Sequence, residues 1–264
     1  MLARNLPRIS VGMYKFDLIV LIVATMLLSV IYATQMKPLI YTEFFDKEEF
    51  YCEAHQKCFL EGKAKQMIGY MVGKRFDEVV KTGAMKNDSW INIHSLLHNN
   101  YYNDDLWIYG EDITFSSGQT GVKRYGRILG TRGHVAIVRA DGQVYREITE
   151  NKQHSFACSF RLDDGTGSII GHELFRRGSA KGHTMESISE DSESCYNRLN
   201  GTTEVECALK CHLDKRCRSV YYSDKISTCI HTLYVDSILA RSDWSHWLLE
   251  WRRNERQSWS LSGN

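Results

Sequence analysis

Proline is almost missing from this chain: two residues among 264, Pro7 and Pro38, both near the start. A Pro-rich stalk or stiff spacer is therefore excluded. Net charge is nearly absent too, with 33 Lys and Arg against 32 Asp and Glu. That balance gives no overall basic field for a polyanion, so nucleic acid is not expected as a partner. There is no GxSxG elbow, no HExxH and no P-loop, which removes the common signatures of acyl transfer, zinc proteolysis and phosphate binding. Asp104-Asp105 and Asp163-Asp164 could imitate the acidic metal motif of a nucleotide-sugar transferase, yet no nucleotide-binding βαβ pattern surrounds them. Neither catalysis nor a cofactor is expected. No internal repeat and no CxxC pair occur.

Cysteine, by contrast, is plentiful, with eight residues. Four of them, Cys207, Cys211, Cys217 and Cys229, form the run C-x3-C-x5-C-x11-C. Zinc needs four ligands converging on one point, usually from paired short loops, and this run does not supply them even with His212 and His231 nearby. An even number of cysteines in an oxidising space makes disulfides instead, up to four here. No metal site is expected.

The start of the chain agrees on the compartment. Leu18 to Ala33 is free of charge, preceded by Arg4, Arg8 and Lys15. At 1.5 Å per residue it reaches roughly 24 Å, slightly short of the ~30 Å hydrocarbon core unless its neighbours help. The basic flank favours a single-pass type II signal-anchor over residues 18–36 with the remainder outside. Ile31 and Ala33 offer the alternative, a signal peptide that is cleaved to release a secreted chain. The sequons Asn87-Asp88-Ser89 and Asn200-Gly201-Thr202 mark Asn87 and Asn200 as glycosylation acceptors under either reading.

Residues 37–104 read as a partly helical membrane-proximal region. Met67, Ile68, Tyr70, Met71, Phe76, Val79 and Val80 recur at spacings that suit an amphipathic helix interrupted by Gly69 and Gly73. Cys52 and Cys58 are close enough in sequence for a local bridge to be the economical expectation, although pairing cannot be deduced from sequence. His94 and His98, four apart, could share a helix face; without a third ligand a surface or capping role is preferred over metal. From Leu106 the pattern changes to short strands separated by glycines, with the hairpin at Asp141-Gly142 the strongest local signal because that pair supplies the positive φ a tight turn demands.

The stretch GTRGHVAIVRADGQVYREI resembles the central motif of the GG domain, also called the ILEI or PANDER-like domain, through Arg132, Gly133, Val135 to Val138, Gly142 and Val144, with Asp163, Asp164 and Gly165 in place of its later acidic loop. The resemblance spans 105–177 and implies a β-rich module; the family's helix between hairpin and acidic loop is replaced here by residues 150–161. Residues 178–194, rich in Ser, Gly and acidic side chains, read as a linker.

Residues 195–252 resemble a PAN/apple domain. ECALKC, the turn to CRSVYYSDKISTC and the return through SDWSHWLLEW carry the likeness. The resemblance implies a helix bearing Cys207 and Cys211 packed on an antiparallel sheet, with Cys207 bridged to Cys229 and Cys211 to Cys217. The family's terminal clamp lacks its second cysteine here, so Cys195 is left either without that bridge or paired with Cys158 across the linker. Val220, Tyr221, Ile226, Trp244 and Trp247 are the core candidates, and Lys210, Lys215, Arg216 and Arg218 form a mostly basic patch around Asp214 that could meet a ligand.

In chain order the expected class is α+β: a cytoplasmic N-terminus (1–17), a membrane segment (18–36), the membrane-proximal region (37–104), a GG-like domain (105–177), the linker (178–194), a disulfide-stapled PAN/apple-like domain (195–252) and a polar tail (253–264). The resemblances imply an extracellular, membrane-anchored protein that binds glycan or protein. The alternatives are a secreted cytokine-like or host-interaction factor and a stem-containing Golgi glycosyltransferase relative.

Overall fold

The computed structural model describes residues 40–85, 87–97, 107–111, 127–149, 152–162, 175–177, 195–237, 239 and 251–256. The order begins with strand β1 (Tyr41–Glu49), in which Tyr41 and Phe45, four residues apart, share one face. Tyr41 and Phe45 lie directly across from Phe160 and Phe156 of β7 (His154–Leu162), with ring centroids 5.2 Å apart in both pairs. Cross-strand aromatic pairs of this kind help to set the register.

Helix α1 (Tyr51–Ala64) follows at once, with Glu53 in its first turn and Lys63 in its last, each complementing the helix dipole. Tyr51, Ala54, His55, Cys58 and Gly62 make its buried stripe, at the i, i+3, i+4, i+7, i+11 spacing of one helix face. The chain then reverses through Lys65 and Gln66 into strand β2 (Met67–Met71). The sequence pattern predicts helix here. The glycines decide otherwise: a Cβ on Gly69 would collide with the Cys58 carbonyl and one on Gly62 with the Gly69 backbone, so the two glycines let β2 lie directly against α1. Only the short α2 (Phe76–Lys81) keeps the helical spacing.

β3 (Ser89–His94), β4 (Ile108–Tyr109), β5 (Val135–Val138) and β6 (Val144–Glu147) complete a seven-stranded sheet in the order β1-β7-β3-β5-β6, with β2 added on β7 and β4 on β3. β3 and β7 run parallel, and the other pairs are antiparallel. His94 therefore lies buried in a strand, not on a helix; His98 is outside the described residues. The Asp141-Gly142 turn closes β5 onto β6, with Gly142 at φ 81°.

A second sheet, all antiparallel, has the order β8-β12-β10-β11-β9, from β8 (Phe175–Arg177), β9 (Tyr196–Asn200), β10 (Cys217–Ser223), β11 (Thr228–Leu233) and β12 (Arg252–Arg256). Helix α3 (Glu204–Leu213) packs on it. Val220 and Tyr221 are buried, as expected of a core, whereas Ile226 is exposed in the β10–β11 turn. Trp244 and Trp247 fall outside the described residues.

All eight cysteines are paired: Cys52–Cys195, Cys58–Cys158, Cys207–Cys229 and Cys211–Cys217. The last two are the pairs that the PAN/apple resemblance implies. The first two replace the local Cys52–Cys58 bridge and the Cys158–Cys195 staple. On one helix, residues six apart are separated by about 9 Å along the axis, beyond the ~7 Å Cα limit of a disulfide. α1 instead sends one bridge to β7 of the first sheet and the other to Cys195 at the entry to the second. Every bridge joins a helix to a strand or to a strand's first approach.

The expected arrangement is thus corrected. Strands make up 44% of the described residues and helices 20%, so the body is mostly β. The expected boundary at 104/105 does not separate two folds, because β1, β2 and β3 share a sheet with β5, β6 and β7. Residues 195–252 do not close on themselves either: β8, from before the expected linker, pairs with β12, and one apolar cluster runs from Tyr51, Trp90 and Phe156 through the four cysteines of α3, β10 and β11 to Tyr234. The polar tail from 253 onward begins as a strand of the second sheet, with Arg253 and Glu255 buried. Segments 18–36 and 178–194 lie outside the described residues. Among the described residues no helix is long and apolar enough to cross a membrane, so the single-pass anchor has no structural support. The four disulfides fit an extracellular or secreted protein.

Candidate functional site

α3 is fixed at both ends and along one face. Thr203 caps the start: its Oγ1 accepts from the Glu206 N–H at 3.2 Å while the Thr203 N–H donates to Glu206 Oε2 at 2.8 Å, a reciprocal capping box. At the other end the Arg256 guanidinium, reaching over from β12, donates to the carbonyls of Cys211, His212, Asp214 and Cys217 at 3.1–3.4 Å. A cation on these last carbonyls is the favourable choice for a helix C-terminus. Cys207 and Cys211 bind the inner face to β11 and to the first residue of β10.

The outer face is apolar and open. Val205, Leu209 and Leu213 follow at i, i+4, i+8, with 77%, 53% and 73% of their surface exposed. Four residues along a helix is a turn of about 40° past one revolution, so the three side chains lie in one stripe roughly 80° wide. Cys207 and Cys211 each stand two residues from Leu209, about 200° round the axis, on the opposite side. The stripe was therefore readable in the sequence: once the cysteines define the inner face, these three residues can only point away from it.

The expected basic patch comes apart. Lys210 and Lys215 are exposed beside the stripe. Arg216 folds back on Asp214, with Nε–Oδ1 2.9 Å and Nη2–Oδ2 2.8 Å, and lies 5.8 Å from the Phe59 ring of α1. Burial pushes the Asp214 carboxyl up, and the Arg216 hydrogen bonds and charge more than offset it, leaving it below its ordinary value. Arg218 is buried and donates to the carbonyls of Gly110 at 2.5 Å and Tyr234 at 3.0 Å. Its work is to tie the second sheet to β4, not to meet a ligand. Cys207, Cys229 and His231 come within 4.8 Å of one another, as metal ligands would, but the sulfurs are bonded together and His231 Nε2 lies 3.0 Å from the Cys207 carbonyl. Asp104-Asp105 and Asp163-Asp164 lie outside the described residues.

A second feature lies at one end of the first sheet. Glu48, Phe50, Asn87, Asp88, Lys152, Gln153 and His154 line an open polar cleft of about 850 Å³. Asn87 and Asn200, the two sequon asparagines, are both exposed.

Between the sheets, His55 of α1 is fully buried, edge-on to Tyr51 at 4.8 Å and stacked on Tyr234 at 5.5 Å. Burial, then the nearby charges of His94 and Arg218, push its pKa down to about 3. The native state thus refuses a proton that the unfolded chain accepts near pH 6.5, so the contribution is whole above about 6.5 and drains away as pH falls toward 3. We expect unfolding free energy to fall by up to about 1.4 kcal/mol per pH unit in that window on account of this residue. Denaturant titrations of wild type and His55→Phe between pH 6.5 and 4.5 check it: the variant should lose about one proton's worth of slope, and parallel curves would contradict the assignment.

Set against models of known protein families, curated proteins and solved structures, the chain matches none of them.

Proposed function

We propose that this is a secreted or otherwise extracellular recognition protein that binds a protein ligand through the outer face of α3. The observation that carries the reading is the stripe Val205, Leu209, Leu213, held open on a helix that two disulfides, a capping box and Arg256 keep from rearranging. Three apolar knobs at i, i+4 and i+8 are the pattern by which a helix fills an apolar groove on a partner. Prior rigidity lowers the entropy lost on binding. A protein groove is favoured over an anionic glycan because two of the four expected cations, Arg216 and Arg218, are committed within the fold, while the exposed surface beside Lys210 is hydrocarbon. The likeness to PAN/apple modules, which recognise proteins or carbohydrates, agrees with this role.

The test presents the full chain to an array of purified extracellular proteins and, in parallel, to a glycan array. The triple variant Val205→Ser, Leu209→Ser, Leu213→Ser changes only exposed positions, so its stability should stay close to wild type. Helix anchors commonly carry about 2 kcal/mol or more each, so affinity for the protein ligand should fall by at least about 30-fold. Binding to a protein that the triple variant retains in full, or binding confined to glycans, would overturn the reading.

A further inference from the structure

The cleft at the end of the first sheet arises from strand direction. β1 runs antiparallel to β7 and β3 runs parallel to it, so the end of β1 and the starts of β3 and β7 arrive at the same edge: Glu49 lies across from His154 and Ser89 from Ser155. The arrangement is held from beneath. Trp90 Nε1 donates to the Glu49 carbonyl at 2.8 Å and its ring meets His154 edge-on at 4.5 Å. The hydroxyls of Ser89 and Ser155 are 2.7 Å apart, and Ser155 Oγ donates to the Asp88 carbonyl at 3.2 Å. What remains above this floor is polar, apart from Phe50, which is 37% exposed. The volume of about 850 Å³ falls within the ~300–1,000 Å³ of ligand clefts.

One wall of this cleft is Asn87, the acceptor of the sequon Asn87-Asp88-Ser89. The geometry points to an N-linked glycan on Asn87 whose first sugars lie in the cleft, the apolar face of the innermost ring against Phe50 and its hydroxyl and acetamido groups among Asp88, Lys152 and Gln153. The other sequon asparagine differs: Asn200 ends β9, and its side-chain oxygen already accepts from Thr228 Oγ1 at 3.2 Å. The occupant is a covalent one, so its place is set by attachment and not by affinity. An amphipathic sugar ring matches a cleft that is polar throughout with one aromatic edge.

The transfer precedes folding. In the native state the Ser89 hydroxyl is buried and bonded to Ser155 and, at 3.1 Å, to the Asn87 carbonyl, where no transferase could read it. On the extended chain, the Asn87 amide nitrogen attacks the anomeric carbon of an oligosaccharide carried on a lipid pyrophosphate. The carbon–nitrogen bond forms as the carbon–oxygen bond to pyrophosphate breaks. The bonding pair leaves with the pyrophosphate, and the amide proton is taken up by a base of the transferase. The product is the neutral glycosyl amide typical of surface positions in secreted proteins. The inference rests on the oxidising compartment that the disulfides fit and is independent of α3.

The experiment expresses the full chain in eukaryotic secretory cells and reads the Asn87 peptide by mass spectrometry before and after enzymatic glycan release. Asn87 should be modified. Thermal unfolding is then followed for the folded, purified protein with its glycan intact, trimmed to a single sugar, and removed. The trimmed form should keep the intact midpoint, and complete release should lower it by about 2–4 °C, the shift that about 1 kcal/mol causes in a chain of this size. In Phe50→Ser, release should cause no further loss, because the ring the sugar packs on is gone. An unmodified Asn87, a midpoint unmoved by release, or an equal drop with and without Phe50 would each overturn the proposal.

Discussion

Asp236→Ala is expected to destabilise the protein by about 3–5 kcal/mol, the cost of leaving a buried charge without its partner. Asp236 is almost wholly buried, accepts from Arg253 Nη2 at 2.5 Å and from Ser219 Oγ at 2.6 Å, and sits among Arg253, Arg218 and Glu255, all buried. Arg253 also pairs with Glu255. Two guanidinium groups thus face two carboxylates, and removing one carboxylate leaves the interior with an uncompensated positive charge. Burial pushes the Asp236 carboxyl up, while Arg253, the Ser219 hydrogen bond and Arg218 pull it below its ordinary value. Its contribution is therefore present above the ordinary aspartate range near pH 4 and is lost as pH falls through the lower native value. Asp236→Asn separates charge from shape: it keeps an oxygen for Ser219 but not the anion, and should lose most of the same stability. An asparagine variant within 1 kcal/mol of wild type in denaturant unfolding would show that the charge is not what matters.

The paired variant Cys52→Ser, Cys195→Ser should cost about 4 kcal/mol. The two cysteines are 143 residues apart in sequence, but the surviving Cys58–Cys158 bridge shortens the loop that Cys52–Cys195 closes in the unfolded chain to roughly 6 plus 37 residues. Loop-closure entropy for about 43 residues is near 4 kcal/mol at 25 °C, against about 2 kcal/mol for the separation of 6 between Cys211 and Cys217. The order of the two losses is the informative quantity, since strain and residual structure affect both. Denaturant midpoints of the two serine pairs under oxidising conditions measure it. If the Cys52–Cys195 variant lost no more than the Cys211–Cys217 variant, the long bridge would not be constraining the chain as described.

These expectations depend on features of unequal visibility in the sequence. Disulfide chemistry was legible because eight cysteines with no CxxC pair favour bridges over metal. The hairpin at Asp141-Gly142 was legible because the turn chemistry is local. β2 was not: Met67, Ile68, Tyr70 and Met71 satisfy a helical spacing, and what makes them a strand is the contact of Gly69 with α1, a relation between two backbones that no single segment displays. β12 hid for a different reason. Arg253 and Glu255 alternate inward as apolar residues would in an ordinary strand, but they are charged, and their burial is made tolerable by ion pairs with Asp236 and with each other. The bridges of α1 were beyond reach, since Cys52 and Cys58 find partners 143 and 100 residues away. Of the candidate site, the helix and the exposed Lys210 and Lys215 follow from the sequence, whereas Val205, Leu209 and Leu213 are interleaved with charged residues in the linear chain and form a stripe only once the helix turns Cys207 and Cys211 inward.

The claim on which the rest stands is that α1 joins both sheets into one body, with a bridge to each. Peptide mapping of the native, non-reduced protein tests it most directly. The account predicts one peptide pair linking Cys52 to Cys195 and another linking Cys58 to Cys158. A Cys52–Cys58 loop, or a Cys158–Cys195 pair, would contradict it.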